Sequence, residues 1–551
     1  MSDADKIKDA REAFKVTSEA EDENRVAAKD DIEFARLGGE YQWIVNGKNW
    51  AAERRAKGRP ILTINMLPKF QRQVMNDIRQ NRPAIKVRPA DSAADVKTAG
   101  VYTGIVRNIE QQSHADTARD TASEHAITGG WGYTKINVKY AHDDTFAQDI
   151  VIERVANQFS IYGDPYSLDA DSANWNTAFE VELITKDEFK SRFRDAKPMS
   201  WEDADYRELT SPWREGDEVL IARWWKREEV VRKLLQLSDD TVVAEEDFLK
   251  EIEPGITNRD IATASGLTVA STRDAPSFKV YHCLMTGAEV LDEQDWPGRY
   301  IPIIPVYGED IVVDGKRILK SLIRDARDPQ MQLNFWRSYA AEAVALAPKT
   351  PFIGPEKAFD IDPNWETANT ENHPYLEYQG SIPPARQAYV GLDAGAMQQA
   401  MIANDDIKGT LGLFDASIGA RSNETSGKAI LARQREGDVS TFHFSDNLSR
   451  AIRHEGVILL DLIPKVYSGK RMQRILGEDG KAQIVQLGPK PPQMPGVQAQ
   501  PAAQAQMQPG MMGQQSAPGP EQAMNDTPAG QDAPIQPEVF DLTAGKYDLV
   551  V

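Results

Sequence analysis

The sequence has 551 residues but only one cysteine, Cys283, and seven histidines. A single thiol has no second cysteine to pair with, which argues against a disulfide framework and a structural zinc site. Long apolar runs are also missing, because the strongest one, Val457 to Ile463, is short and contains Asp461. The first twenty residues alternate charges where a signal peptide needs an apolar core. We therefore expect a soluble protein that is not secreted and does not span a membrane.

The usual signatures of enzymes are absent as well. In the segment Ser426-Gly427-Lys428-Ala429, an alanine occupies the position where a phosphate-binding loop needs Ser or Thr for magnesium. Neither an HExxH zinc motif nor a GxSxG nucleophile elbow occurs. Adjacent acids are more typical of solvated faces than of metal sites; they occur at Asp143-Asp144, Asp239-Asp240 and Asp405-Asp406. We predict a structural protein that is not an enzyme and holds no cofactor or metal.

What the sequence does contain is segregated charge. Its 64 Lys and Arg against 84 Asp and Glu give a net charge of −20, which argues against a general basic nucleic-acid binder. Residues 53–88, however, carry ten cations and only two acids, a local charge of +8 that leaves −28 for the rest of the chain. The basic segment, residues 53–88, therefore needs an explanation of its own.

The first 315 residues predict helices followed by a β-rich part. The segment from Ser2 to about Arg36 is charge-dense and poor in apolar side chains, which predicts an exposed helix with a frayed start, and we expect residues 1–21 to be flexible. A helix follows Pro68, and a second helix is expected from about Ser92 to Ile127, ended by Gly129-Gly130. WGYTKINVKY then alternates apolar and polar residues and predicts a strand, the first of several up to about residue 315.

The second half predicts helices around a small β unit. Helical patterns cover residues 317–346 and about 394–407 and flank a Pro- and aromatic-rich segment, 348–384. A Gly/Ser-rich loop, 413–426, precedes the longest helical pattern, 427–467. A hairpin is expected around GEDG, and one more strand near the C-terminus. Residues 489–537 are rich in Pro, Gln, Ala, Met and Gly with little charge, which is typical of disorder.

Several segments in this order resemble the portal (head-to-tail connector) proteins of tailed double-stranded DNA phages. The type found in short-tailed Salmonella phages (podoviruses) is the most similar. Four segments carry the resemblance: GRPILTINMLPKFQRQVMNDIRQNRPAIKVRPAD (58–91), the glycine turn into WGYTKINVKY, IPIIPVYGE (301–309), and SNETSGKAILARQREGDVSTFHFSDNLSRAIRHEGVILLDLIPKVY (422–467).

The resemblance implies an α+β portal fold that forms rings. Mapped onto this chain it gives a flexible N-terminus (1–21), a wing (22–315 with strands from 468–488 and 538–551), a first stem helix (316–346), a clip (347–390), a second stem helix (391–412), a tunnel loop (413–426), a spine helix (427–467) and a disordered insertion (489–537). Relatives of this type commonly continue beyond the equivalent of Val551 into a helical crown and barrel, so crown functions are not expected of these residues.

The resemblance also implies a function and partners. The expected function is a ring of twelve subunits at one capsid vertex, through which double-stranded DNA enters and leaves the virion. Expected partners are the terminase large subunit, head–tail adaptor and tail proteins, and the major capsid and scaffolding proteins, with assembly in the host cytoplasm. A packaging motor or nuclease subunit, or a structural adaptor that is not a portal, are the alternatives.

Three sets of candidate residues follow. For the subunit interface, favoured over DNA contact for the basic segment, they are Arg54, Arg55, Lys57, Arg59, Arg72, Arg79 and Arg82. For the channel, where the alternative is a mobile connection without contacts, they are Asp415, Arg421, Asn423, Glu424 and Lys428. For docking by the clip, where the alternative is a small internal core, they are Phe352, Trp365, His373, Tyr375 and Tyr378.

Overall fold

A computed structural model provides the structure of the chain. It describes residues 3–91, 94–201, 218–239, 241–249, 251–253, 256–346, 351–368, 371–386, 394–413, 441–467, 471–477, 479–488, 539–543 and 545–551. These residues combine helices and antiparallel sheets, in agreement with the predicted α+β class.

The helices of the described residues are spread along the chain. They are α1 (Asp3–Ile32), α2 (Trp50–Ala56), α3 (Leu67–Gln80), α4 (Val96–Gln112), α5 (Ala115–Gly129), α6 (Lys186–Arg192), α7 (Glu245–Phe248), α8 (Asn258–Ala264), α9 (Arg327–Leu346), α10 (Asn364–Thr367), α11 (Ala394–Leu411) and α12 (Phe442–Val466).

The strands lie mainly between α5 and α9. They are β1 (Ile44–Val45), β2 (Lys48–Asn49), β3 (Lys86–Pro89), β4 (Trp131–Tyr140), β5 (Gln148–Arg154), β6 (Ile161–Tyr162), β7 (Thr177–Thr185), β8 (Glu218–Leu237), β9 (Val242–Ala244), β10 (Glu251–Glu253), β11 (Ile256–Thr257), β12 (Val269–Met285), β13 (Val290–Trp296), β14 (Ile303–Tyr307), β15 (Glu309–Val313), β16 (Lys316–Lys320), β17 (Phe352–Ile353), β18 (Ala385–Arg386), β19 (Arg471–Leu476), β20 (Ala482–Leu487), β21 (Val539–Phe540) and β22 (Tyr547–Val550).

The largest sheet separates two hydrophobic cores. Its order is β13-β12-β8-β7-β6, with β9 added beside β8. Successive side chains of a strand point to opposite faces, so the neighbours Trp224 and Trp225 of β8 enter different cores. Trp224 stacks on Phe179 with ring centroids 6.0 Å apart, whereas Trp225 meets Trp296 edge-on at 5.5 Å. The long strand β8 therefore ties both cores together.

The N-terminus differs from the flexible segment predicted for residues 1–21. Helix α1 begins at Asp3, and Phe14 is buried with its ring centroid 4.8 Å from Tyr162 and 5.1 Å from Phe179. Apolar residues are sparse on this helix, and Val16 is exposed, but Ile7, Ala10 and Phe14 lie in one core with residues of the sheet. The predicted helix is present, but its predicted flexibility is wrong, because one well-placed ring can anchor a helix when its partners lie far away in sequence.

The helix predicted from Ser92 to Ile127 is in fact two helices, α4 and α5. The chain turns between them at His114, which has a φ of +50° and therefore lies in the left-handed region. A non-glycine residue rarely adopts this conformation, so the apolar spacing did not reveal the break. Gly130, with a φ of +99°, ends α5 as expected.

The segment 316–346 is also not one helix. Strands β15 and β16 form a hairpin closed by the two-residue turn Asp314-Gly315, in which both residues have positive φ. Asp-Gly is a favoured sequence for such a turn, and it outweighs the helical spacing that follows. The helix of this segment, α9, begins only at Arg327.

Helix α12 lies in the main core. Its buried residues include Phe444, Leu448, Ile452, Leu459 and Ile463, and it packs against β14, α5, β5 and β22. Of the expected spine helix 427–467, residues 427–440 lie outside the described residues.

The C-terminal residues complete two small sheets. Strands β19 and β20 form an antiparallel hairpin, and β21 adds to β20 in parallel. Strand β22 pairs with β3, which returns the end of the chain to the basic segment. The predicted disordered insertion, 489–537, lies outside the described residues.

Candidate interface and docking surfaces

A row of amides and a hydroxyl on α9 binds an extended segment of the backbone. Gln330, Asn334 and Ser338 follow one another at helical spacing and are fully buried. They accept hydrogen bonds from the backbone N–H groups of Met66, Ile64 and Leu62 at 3.0, 2.8 and 2.8 Å, respectively.

The same side chains also donate hydrogen bonds, so that both the N–H and the carbonyl group of Ile64 have partners on α9. The Gln330 amide donates to the carbonyl of Ile64 at 2.8 Å, and the Asn334 amide donates to Gln42 Oε1 at 2.8 Å. Buried backbone groups need partners, and here α9 provides them in place of a neighbouring strand. This polar ladder, Gln330, Asn334 and Ser338, fixes residues 62–66 along the helix.

The ladder brings the start of the basic segment against α9. Arg54 Nη2 lies 2.8 Å from Glu342 Oε2, and both side chains are largely buried. Arg59 Nε reaches the other oxygen of Glu342 at 3.2 Å. One carboxylate therefore bridges two of the predicted interface arginines within the chain.

Two further cations of this set, Arg55 and Lys57, also form ion pairs within the chain. Arg55 lies 2.6 Å from Glu40, and Lys57 lies 2.9 Å from Glu53. Hydrogen bonds from Lys48 and Lys57 lower the pKa of Glu53 to about 2. Exposed ion pairs of this kind contribute little stability. Their carboxylates nevertheless offset the positive charge of Arg55 and Lys57.

Farther along, the basic segment is paired with α5. Arg79 lies 3.0 Å from Asp120, and Arg82 lies 2.7 Å from Asp116. Arg72 is exposed on α3. Six of the seven predicted interface cations thus have carboxylate partners in the same chain, and an acidic surface on a neighbouring subunit is not needed to explain them. Their role between subunits stays a prediction.

The predicted clip contains a compact unit whose two ends are joined by strands. β17 pairs with β18, so that Phe352 lies opposite Arg386. Trp365 packs edge-on against Phe352 and Phe359 at 5.0 and 5.1 Å, and its indole N–H donates to the carbonyl of Glu377 at 2.7 Å. These three half-buried rings pack on one another and hold the unit together.

The five clip candidates therefore separate into two groups. Phe352 and Trp365 are half-buried against each other, and His373 is held by the hydroxyl of Thr367, whose oxygen lies 2.7 Å from His373 Nε2. Tyr375 and Tyr378, in contrast, are 69 % and 43 % exposed. Of the five candidates, these two tyrosines offer the most ring surface to another molecule.

The five channel candidates cannot be assigned positions. Asp415, Arg421, Asn423, Glu424 and Lys428 all lie outside the described residues. Their contact with DNA stays a prediction.

A buried charge cluster that the sequence did not predict joins three helices. Arg119 of α5 contacts Glu110 of α4 at 2.7 Å and Glu455 of α12 at 2.5 Å. Glu455 is 1 % exposed. Burial raises the pKa of Glu110, while the Arg119 charge opposes that rise. No sequence signal could have found the cluster, because its members are up to 345 positions apart and each resembles an ordinary surface charge.

A second buried carboxylate, Asp31, binds two arginines at the start of α9. Asp31, fully buried, accepts a hydrogen bond from Ser321 at 2.8 Å and lies 2.9 Å from Arg324 and 3.2 Å from Arg327. Burial raises the pKa of Asp31, and the two arginines act against this rise. The start of α9 is thereby tied to the end of α1.

The described residues contain no group of three or more His, Cys, Asp or Glu side chains that could hold a metal ion. No helix in these ranges is long and apolar enough to cross a membrane. Cys283 is buried, and burial raises the pKa of its thiol to about 11, so the thiolate needed for reactivity is disfavoured.

The described residues form a protein of mixed helices and sheets, and the candidate sites among them are surfaces. The family model of the Phage P22-like portal proteins matches residues 11–551, and the chain belongs to this family. It is 25 % identical over 448 residues to a protein named "Portal protein" from Acyrthosiphon pisum secondary endosymbiont phage 1. That alignment covers 77 % of this chain and 61 % of the relative's length. The family is a structural one, and its members are components of the phage particle.

Proposed function

We propose that the chain assembles into a ring of twelve subunits at one capsid vertex and serves as the conduit for genome packaging and ejection. The observation that carries this proposal is the family match across residues 11–551. The architecture supports it, because α9 and α11 pack side by side and the small clip unit interrupts the chain between them. Two packed helices with a small terminal unit suit a stem that ends in a clip.

The clip is the docking platform in this proposal. Tyr375 and Tyr378 are exposed on a unit in which Phe352, Phe359 and Trp365 already pack on one another. Exposed tyrosines are typical anchors of protein interfaces. The terminase large subunit would bind here during packaging, and head–tail adaptor and tail proteins afterwards.

The channel is proposed to repel DNA more than it binds it. The net charge of −20 for each chain, multiplied around a ring, lets a duplex pass without adhering. Arg421 and Lys428 are the proposed phosphate contacts of the tunnel loop, since sparse cations retain DNA without strong binding. Major capsid and scaffolding proteins are the proposed outer partners, with assembly in the host cytoplasm.

Electron microscopy of the purified chain tests the proposal. Class averages with twelvefold symmetry and a central hole are expected. A population of single chains or open sheets would contradict it and favour a structural adaptor that is not a portal. ATP hydrolysis or DNA cleavage by the pure protein would instead favour a packaging motor or nuclease subunit.

A further inference from the structure

An open cleft lined by aromatic rings lies beside α9. Its volume is about 780 Å³, and its walls come from the segment that leads into α2, from α2 itself and from α9. Three large rings of the walls remain 40–44 % exposed: Trp50, Phe335 and Tyr339. Such a concentration of exposed aromatic surface marks an interaction site more often than a solvated face.

Helix α11, which packs against α9, carries a second apolar surface. Met397 and Met401 of α11 are 42 % and 67 % exposed and lie one helical turn apart, with Asp405 in the following turn. Gln399 of the same helix lines the cleft. Gln399 and Met401 are two residues apart, and therefore about 200° apart around the helix axis. The cleft and the methionine flank (Met397, Met401 and Asp405) consequently face in opposite directions.

The charges of the two surfaces are complementary. The cleft is lined by Arg54, Lys57 and Arg59 against two acids, Glu53 and Glu342, so that cations outnumber carboxylates. Lys57 and Arg59 are about half exposed at its rim, where Lys57 pairs with Glu53 and Arg59 with Glu342, so that a second carboxylate would have to share them. On the methionine flank, the Asp405 carboxylate is 73 % exposed, although it lies 3.4 Å from Lys408 Nζ of its own helix. An acid at the end of an apolar stripe is thus matched by an apolar cleft with basic edges.

We propose that the aromatic cleft of one copy of this chain receives the methionine flank of the next copy. Methionine adapts its shape to irregular aromatic surroundings, and Asp405 would come to rest near Arg59 and Lys57. Two unlike surfaces on opposite sides of one chain form a heterologous contact, the type that closes into a ring. The inference rests on the ring proposed above and names the residues that build its subunit contact.

Thiol cross-linking tests the pairing, because the native Cys283 is buried and the unmodified chain serves as the background. Tyr339→Cys and Met401→Cys are made separately and together, and a short bismaleimide is added. The double variant is expected to give a ladder of covalent oligomers on denaturing gels, whereas each single variant gives single chains. A covalent dimer of Met401→Cys alone would overturn the proposal, since it would show a two-fold contact between like surfaces.

A second measurement separates this inference from the proposed ring. Met401→Glu is compared with Met472→Glu, a matched change at a 57 % exposed methionine of β19, by sedimentation velocity. We expect Met401→Glu to raise the protein concentration needed for assembly at least tenfold, and Met472→Glu to leave assembly unchanged. Normal rings in Met401→Glu, or rings of the double cysteine variant that give no ladder, would refute the cleft contact and leave the ring intact. Failure of the unmodified chain to form any ring would refute both.

Discussion

The side-chain carbonyl of Asn334 accepts a hydrogen bond from the backbone N–H of Ile64 at 2.8 Å, across 270 positions of the sequence. This bond is the centre of the polar ladder that fixes residues 62–66 to α9. Since α9 also forms one wall of the aromatic cleft, the ladder sets the position of the basic segment relative to that surface.

Replacing Asn334 by leucine should destabilise the fold. The change leaves the N–H of Ile64 and the Oε1 atom of Gln42 without partners in a buried place, which costs about 1–3 kcal/mol for each group. Asn76→Leu, the same change at an exposed position of α3, is the control and should change little. Thermal unfolding of the two variants under identical conditions checks this, and equal melting temperatures would show that the ladder contributes no stability.

Removing Arg119 should have a larger and pH-dependent effect. Arg119→Met leaves Glu110 and Glu455 buried without their cation, and breaking a buried pair costs about 3–5 kcal/mol. Burial already raises the pKa of Glu110 above its ordinary 4.5, and loss of the arginine raises it further. The folded variant then binds protons more readily than the unfolded chain, so its stability increases as the pH falls.

The comparison for this cluster is Arg79→Met, which breaks an exposed pair with Asp120. It should cost less than about 1 kcal/mol. Urea unfolding of both variants at pH 8 and pH 5 gives the result. A defect of Arg119→Met that stays constant or grows toward pH 5 would contradict the proposed cause.

The N-terminal helix should depend on Phe14. Phe14→Ala removes a buried ring that contacts Tyr162, Phe179 and Trp201, at an expected cost of about 3–5 kcal/mol. Val16, on the same helix, is 42 % exposed, and Val16→Ala should be nearly neutral. Limited proteolysis of the two variants distinguishes them, since only the first should be cut rapidly within α1.

The two groups of clip residues should behave differently. Tyr375→Ala combined with Tyr378→Ala should leave the melting temperature unchanged but weaken binding of the terminase large subunit at least tenfold, equivalent to about 1.4 kcal/mol. Trp365→Ala should instead loosen the clip unit, because the indole packs against both Phe352 and Phe359.

Tyr166, 81 % exposed and outside the clip, provides the matched control for terminase binding. Tyr166→Ala should bind as the unmodified chain does. Equal loss of binding in this control, or full binding by the double clip variant, would argue against docking through the clip tyrosines.

Local signals in the sequence predicted the elements whose causes are themselves local. Pro68 lies in the first turn of α3, Gly130 ends α5, and the alternation in WGYTKINVKY coincides with β4. Each of these depends on backbone conformation or on the two-residue period of a strand. The Asp314-Gly315 turn was equally local and could have been recognised.

The features that the sequence did not reveal depend on distant partners. Gln330, Asn334 and Ser338 are typical surface residues until residues 62–66 lie beside them. Phe14 appears isolated until the sheet supplies Phe179. The charge of the basic segment likewise suggested contact with a neighbouring subunit. In the structure, most of its predicted interface cations pair with carboxylates of their own chain that are distant in sequence.

Native mass spectrometry of the purified assembly tests the central claim most directly. If the chain is the subunit of a portal ring, the dominant species should have twelve times the mass of one chain, and dissociation should release single chains from it. A dominant species of one or two chains at concentrations well above the micromolar range would contradict the account.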